Sequence, residues 1–375
     1  MASVIADAFA ADESLQAMAA HCQTDEGARL LADFDRVNRA KYPHIIDEVA
    51  GIAAGSEQPI HLVMLANLAQ EVSTFVKSAA PVVGCTDVHV LTSTDSAWGH
   101  TEDVLIEGSG YIVHSTLVGD DAAQDGVVKR YTAFCYPGCV AGWAWGYNAH
   151  GVAFSINALT PSKLCVGLAA SFVSRDVLDA ENIDDAIARA AVLGQAGGQR
   201  FNLGSVAEPG RRVLIEAAPR GCEVRWLAND ERCCACNVYL LGTNPTEVEG
   251  RTGCYAESSH RRLARVTALL PNKATVGAED GVAWIRRVLT DAGDASFPIW
   301  RNKSPPDYAK SDHMVVFDLI QKRVDVFREE GFAKPTDAPA GEAGASVLQP
   351  DGPPGNVQPA HTFNMVVVAA QPGTA

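Results

Sequence analysis

The sequence predicts an α+β fold in which antiparallel sheets lie between outer layers of helices. Three observations carry this. Strand-like runs and helical pairs come in blocks instead of a strict β–α–β alternation, the order expected of antiparallel sheets with segregated helices. The first 80 or so residues are helical in pattern, and the texture changes to short β-rich runs just before Cys85. No repeat of fixed period is present, and neither GxxxxGK[ST] nor a strand-anchored GxGxxG occurs, which removes support for a nucleotide-binding fold.

Taken in order, Leu30, Leu31, Phe34, Val37, Ile45, Ile46 and Val49 recur near the 3.6-residue period, with Pro43 near a second helix start and Gly55 as its stop. A third helix runs through HLVMLANLAQEVSTFV until Pro81 breaks it. The runs CTDVHVLTS, GYIVHSTLV, KRYTAFCYP and GVAFSINAL, separated by Gly, Asn and Asp clusters, read as strands. SFVSRDVLDA and NIDDAIARAAVLG read as helices, with Asn182 a cap and Asp184 and Asp185 suited to the first turn. Strands resume at FNLGSVA, RRVLIEAAP, CEVRWL and NVYLLG, followed by helices at ESSHRRLARVTALL and EDGVAWIRRVLTDAG. HMVVFDLI and KRVDVFR form a hairpin turning near Gln321. The Pro-, Gly- and Ala-rich stretch over 334–360 reads as a surface loop before a last strand at TFNMVVVAA.

Composition narrows the function. The chain has 375 residues, 47% hydrophobic and 20% charged, which suits a globular protein with a sizeable core. A net charge of −15 argues against a nucleic-acid partner and favours neutral or cationic small ligands. The longest clear apolar run, Leu164 to Val173, is about half of what a bilayer span needs, so no membrane partner is expected. The N-terminus lacks a basic region and is interrupted by Asp7, Asp12 and Glu13, unlike a secretory signal, and the ten cysteines are therefore expected to be reduced thiols in the cytoplasm.

The most informative window is PVVGCTDVHVLTSTDSAWGHTEDVLIEG. Cys85 follows Gly84 where helix gives way to strand, and Glu102 and Asp103 follow across a hairpin. A Gly–Cys pair there ordinarily marks a turn and a small buried thiol. If the Gly84–Cys85 bond is cut, however, Cys85 carries a thiol and a free α-amine on one residue. An α-amine has a pKa of about 7.7–8.0 and can act as general base to the thiol.

These residues resemble the Cys-type N-terminal nucleophile (Ntn) hydrolases related to acyl-coenzyme A:6-aminopenicillanic acid acyltransferase, peptidase family C45. The resemblance rests on Gly84-Cys85-Thr86-Asp87 and Gly99 to Asp103, on Gly51 to Gly55 and Leu68 to Glu71, on Tyr136-Pro137-Gly138, on Gly146 to Gly151 followed by Asn157, and on Ser258 to Arg262. It implies a four-layer αββα sandwich with two stacked antiparallel sheets. It also implies self-cleavage into a helical prelude, residues 1–84, which stays as a partner small subunit, and a catalytic domain, residues 85–375. The nucleophile would be Cys85 and the oxyanion donor Asn237, whose neighbours Cys236 and Val238 depart from the family pattern. Asp103 would position the new amine or a partner arginine, and Arg301 would correspond to a functional arginine near the family's C-terminal hairpin. Within the family, the motifs look most like members that hydrolyse β-alanyl amines such as β-alanyl-dopamine or carcinine, for which Asp87 and Glu102 would bind the substrate's cation. An acyltransferase using the same thioester, and an unprocessed non-catalytic binding protein, stay open at this point, as does a homo-oligomer. No cofactor is implied.

Other features invite blander readings. Cys233 to Cys236 has a CxxC spacing but no second ligand pair at a suitable distance, so strand thiols are expected and no metal. His89, His100 and His114 would permit a papain-like Cys–His pair, which an Ntn arrangement does not need, and are expected to serve packing or hydrogen bonding. SSHRRLARV reads as a solvated or salt-bridged basic helix face.

Overall fold

The computed structural model describes residues 1–76, 84–105, 110–118, 128–162, 165–241, 253–270, 280–328 and 361–365. The prelude is helical: α1 (Ala2–Ala11), α2 (Glu13–His21), α3 (Asp25–Lys41), α4 (Pro43–Ser56), α5 (Ile60–Asn67) and α6 (Ala69–Val72). Side-chain caps explain the sharp corners: Asp12 accepts from Leu15 N and Thr24 from Gly27 N, while Pro43 takes the first position of α4. That helix passes Gly55 and stops one residue later, with Glu57 in the left-handed region at φ 57°. The predicted single third helix breaks at Leu68. Asn67 is the reason: its amide donates to Gly138 O as well as to Val63 O, and its carbonyl accepts from Val140 N, tying the helix end to a distant loop.

One sheet holds β1 (Gly84–Leu91), β2 (Ser96–Val104), β10 (Glu231–Ala235), β11 (Lys310–Asp318), β12 (Arg323–Phe327) and β13 (His361–Asn364), in the order β10-β1-β2-β11-β12-β13. The other runs consecutively through β3 (Tyr111–Val118), β4 (Val128–Cys135), β5 (Trp145–Asn148), β6 (Val152–Leu159), β7 (Gly198–Ser205), β8 (Arg212–Ala218) and β9 (Gly221–Trp226). Every strand pair described is antiparallel. The inner faces meet in an aromatic core, where Trp98 stacks on Phe317 at 4.3 Å between ring centres beside Trp145, Phe134 and Val315. Helices α9 (Gly253–Leu269) and α10 (Gly281–Leu289) cover the outside of the first sheet through Val266, Trp284 and Ile285 on Val88 and Val90. The prelude with α7 (Ala170–Val177) and α8 (Ile183–Ala190) covers the second through Phe34, Ile45, Val63, Phe172 and Ile183 on Phe154, Phe201 and Ile215. Four layers result, α–β–β–α, and no helix among the described residues is long and apolar enough to cross a membrane.

Two expectations need correction. NVYLLG is not a strand, because β10 ends at Ala235 and the Glu216 carboxylate accepts from Leu240 N and Leu241 N at 2.7 and 2.8 Å, diverting those donors from any ladder. Conversely, the short strand β5 has no run long enough to signal it. The expected loop over 334–360, the break at Pro81 and the last strand beyond Met365 lie outside the described residues.

Candidate active site

The site grows from the β1–β2 hairpin. Its register sets Gly84 opposite Asp103, Cys85 opposite Glu102, Thr86 opposite Thr101 and Asp87 opposite His100. Directly opposed residues share a face, and faces alternate along a strand. Cys85, Asp87, His100 and Glu102 therefore crowd one side, towards β6, while Thr86 and Asp103 share the other.

On the β6 side the Cys85 thiol is buried. Asn157 Nδ2 and Asn237 Nδ2 each donate to its Sγ at 3.2 Å, and Sγ lies 3.4 Å from Ile156 O. Among the described residues no histidine ring is bonded to it, so a papain-like pair has no geometry here. Asn237 is held by three further bonds: its Nδ2 donates to Ala158 O at 3.1 Å, and its Oδ1 accepts from Cys85 N at 3.0 Å and Arg262 Nη2 at 2.9 Å. It stands just past the end of β10, where continuation of the β1–β10 register brings it beside Cys85. Burial, then the Glu102 and Asp87 carboxylates, push the thiol well above the ordinary cysteine range, against the two amides that pull it down. The thiol thus needs a base before it can attack.

Asp87 is fully buried, accepting from Ser155 Oγ at 2.5 Å, Asn157 Nδ2 at 2.6 Å and His100 Nδ1 at 2.8 Å. The other nitrogen of His100 donates to Glu102 Oε2 at 3.0 Å, and the second Glu102 oxygen accepts from the Tyr136 hydroxyl. Burial opposes charge on His100, but the carboxylates on either side prevail and raise it to about 10, so it is an imidazolium at neutral pH.

On the opposite face, Arg262 of α9 donates to Cys85 O at 2.8 Å, Thr86 Oγ1 at 2.6 Å, Asn237 Oδ1 and Ser258 Oγ. Arg301 donates to both oxygens of Asp307 and reaches Asp103 at 3.3 Å, and Asp103 also accepts from Ser311 Oγ at 2.7 Å. Burial pushes the Asp103 carboxyl up, while Arg301 and Arg262 pull it back. Gly84 sits among these groups. A Cβ built there would lie 2.7 Å from Asn237 Oδ1, 3.0 Å from Arg262 and 3.1 Å from Arg301, so only glycine fits.

A cavity of about 280 Å³ opens on Gly84, Cys85, Glu102 and Asp103. The prelude supplies one wall through Phe9, Leu15 and Met18, and Tyr136, Pro137 and Trp143 supply another. Gly138 next to that turn has φ +77°, and a Cβ there would strike the Phe9 ring at 2.4 Å, which accounts for the Pro-Gly pair.

Most of the residues singled out from sequence meet here. Cys85, Gly84, Asn237, Asp103 and Glu102 share the site, with Arg301 behind Asp103. Asp87, expected to bind substrate, is corrected. It is absent from the cavity lining and committed to Ser155, Asn157 and His100, so it supports the site from behind. The basic face expected at SSHRRLARV is half wrong. Arg261 is solvated and pairs with Asp294, but Arg262 is fully buried against the Cys85 carbonyl. The sequence marks Asn157 only as part of a motif. The available signals were Ser258 and Arg262 four apart on one helix face, and polar Ser155 and Asn157 alternating in the otherwise apolar run VAFSINAL.

The chain is similar to several known proteins. The chain is 25% identical over 304 residues to the beta-alanyl-dopamine/carcinine hydrolase of Drosophila melanogaster, spanning 77% of each protein. Among solved structures it is similar to penicillin V acylase from Agrobacterium tumefaciens, at 12% identity and TM-score 0.39 over 65% of this chain and 83% of that one. A variant of conjugated bile acid hydrolase from Clostridium perfringens gives 10% identity and TM-score 0.39 over 66% and 90%. The sequence model of the acyl-coenzyme A:6-aminopenicillanic acid acyl-transferase family matches residues 90–331, well over half of the chain. The protein therefore belongs to that family of Ntn-type amide hydrolases and acyltransferases, enzymes that act on C–N bonds.

Proposed function

We propose that the protein is a self-processing cysteine amidohydrolase that cuts its own Gly84–Cys85 bond and then hydrolyses an N-acyl amine, with a β-alanyl amine such as β-alanyl-dopamine or carcinine as substrate. The observation that carries this reading is the setting of one residue. Cys85 Sγ accepts from two carboxamide nitrogens at 3.2 Å at the edge of a cavity, and its own nitrogen is held on Asn237 Oδ1 at 3.0 Å.

In processing, Sγ attacks the Gly84 carbonyl carbon, the C–N bond breaks, and the acyl group passes to sulfur while the proton goes to nitrogen. Water then releases the Gly84 carboxylate and leaves Cys85 with a free amine. In turnover that amine takes the thiol proton as Sγ attacks the substrate amide. The Asn237 and Asn157 amides, already turned to sulfur, stabilise the tetrahedral oxyanion, a role typically worth about 3–4 kcal/mol per donor. The amine returns the proton to the leaving group, and water resolves the thioester. The α-amine supplies the base that a thiol raised by burial requires.

The β-alanyl assignment draws on the Drosophila relative and on the cavity, whose described lining includes Asp12, Glu102 and Asp103 and no Lys, Arg or His. Purified protein should run as two fragments, the larger beginning at Cys85, and Cys85→Ala should stay whole. Incubation with carcinine should release β-alanine. An unbroken and inactive wild-type chain would overturn the reading, and transfer of the acyl group to an added amine in preference to water would make it an acyltransferase.

A further inference from the structure

The inner face of the β1–β2 hairpin carries a charged cluster that the chemistry at sulfur does not use. Asp87 and Glu102 flank His100. Asp87 is closed in by protein groups: it accepts from Ser155, Asn157 and His100, and the buried guanidinium of Arg212, 4.1 Å from the Trp98 ring centre, adds positive charge towards it. A buried carboxylate is costly unless something pairs with it, and for Asp87 the protein itself supplies the partners.

Glu102 is placed differently. Of Asp87, His100 and Glu102, only Glu102 lines the cavity, and among the described residues each of its oxygens has one partner, leaving acceptor capacity on both. Its position is also set relative to sulfur. Glu102 stands directly opposite Cys85 in the ladder, with Cβ atoms about 5 Å apart by the geometry of such pairs. A cation that close to a carbonyl under attack by Sγ belongs to the acyl group, and to a short one. Behind Glu102 the chain of bonds continues through His100 and Asp87 to Asn157 Nδ2, the same atom that donates to Cys85 Sγ.

We infer that Glu102 is the receptor for a terminal ammonium on a two- to three-carbon acyl chain, and that His100 and Asp87 are positioning residues linking this receptor to the Asn157 amide at the reacting sulfur. The inference rests on the amidohydrolase reading and adds the acyl specificity and its device. It makes the ammonium matter for kcat as well as KM, because binding at Glu102 bears on the placement of Asn157.

The test is a series of histamine amides carrying propionyl, glycyl, β-alanyl and 4-aminobutyryl groups. Wild-type kcat/KM should favour β-alanyl over propionyl, the same carbon chain without its ammonium, by about 100-fold or more, with glycyl and 4-aminobutyryl between. Glu102→Gln should collapse that ratio to within about 10-fold. His100→Gln should collapse it too, chiefly through kcat, and the double variant should be little worse than either single one, since the two residues act as one unit. Equal turnover of propionyl and β-alanyl amides by wild type, or independent additive effects of the two variants, would overturn the inference and leave the amidohydrolase intact. A catalysis-free arm separates the two claims: calorimetry on Cys85→Ala should show carcinine binding at least 10-fold tighter than propionyl-histamine. Such binding without wild-type turnover would sink the amidohydrolase and keep the ammonium receptor, and absence of both would remove both.

Discussion

The two faces of the β1–β2 hairpin are built from the same kinds of residue to opposite ends. On the α9 side, arginines and aspartates cancel, and their hydrogen bonds close around the Gly84–Cys85 peptide: Arg262 holds the Cys85 carbonyl, and Arg301 braces Asp103 opposite Gly84. On the β6 side, the bonds run from side chain to side chain and end on a carboxylate that lines the cavity, Glu102. The first arrangement fixes the Gly84–Cys85 peptide in place; the second brings a charged group to where a ligand can meet it. Access to the cavity separates holding from binding even where burial is similar.

Breaking the balanced face should do the greatest damage. Arg262→Met leaves Asp103 without one guanidinium and frees Cys85 O, Thr86 Oγ1 and Asn237 Oδ1 at once. We expect no cleavage after Gly84 and a loss of about 3–5 kcal/mol in urea unfolding, the usual cost of removing one partner of a buried pair. Arg262→Lys should recover only part, because one ammonium cannot reproduce the planar fork. Next comes Gly84→Ala, which forces a methyl to within 2.7 Å of Asn237 Oδ1. Overpacking of this sort costs about 1–3 kcal/mol, and it should slow processing about 100-fold, as followed by gel densitometry, while the fold survives.

How far the sequence led depends on which of these faces is considered. Helices with caps and regular apolar spacing, such as α4 and α8, and long strands such as β1 and β6 were legible, because local periodicity determines them. Cys85, Asp103 and Asn237 are singled out by motifs, and the fold does bring them together. Arg262 was not legible, since five arginines in SSHRRLARVTALLPNKATVGAEDGVAWIRR lie on two helical stretches with no local mark distinguishing the one that the fold sets against Cys85. Asp87 was misread for a similar reason: alternation gives its face, but only the arrival of β6 from the other sheet, with Ser155 and Asn157, decides that it meets protein and not substrate. The end of β10 before Asn237 was likewise set at long range, by Glu216 on β8.

A smaller effect on the fold should come from the amides shared between the faces. Asn237→Ala removes one donor to sulfur and the acceptor for Cys85 N, and kcat of any protein that still processes should fall about 10²–10³-fold, as for a lost oxyanion donor. Asn157→Ala should act on kcat in the same range but spare the Cys85 N contact, so its processing should be the less affected of the two.

A last effect isolates the β6 side. His100 is raised from an ordinary value near 6.5 to about 10 in the fold, by Asp87 and Glu102 acting against burial. A group whose folded pKa lies above its unfolded one binds more protons in the native state, so its contribution to stability is complete below about pH 6.5 and is lost as pH rises towards 10. Wild type should therefore lose stability between pH 7 and pH 10, by denaturant titration, more steeply than His100→Gln, which has no proton to release there. Parallel slopes for the two proteins would mean that His100 is not held as an imidazolium between its carboxylates, and the link from Glu102 to Asn157 would then lose its charged centre.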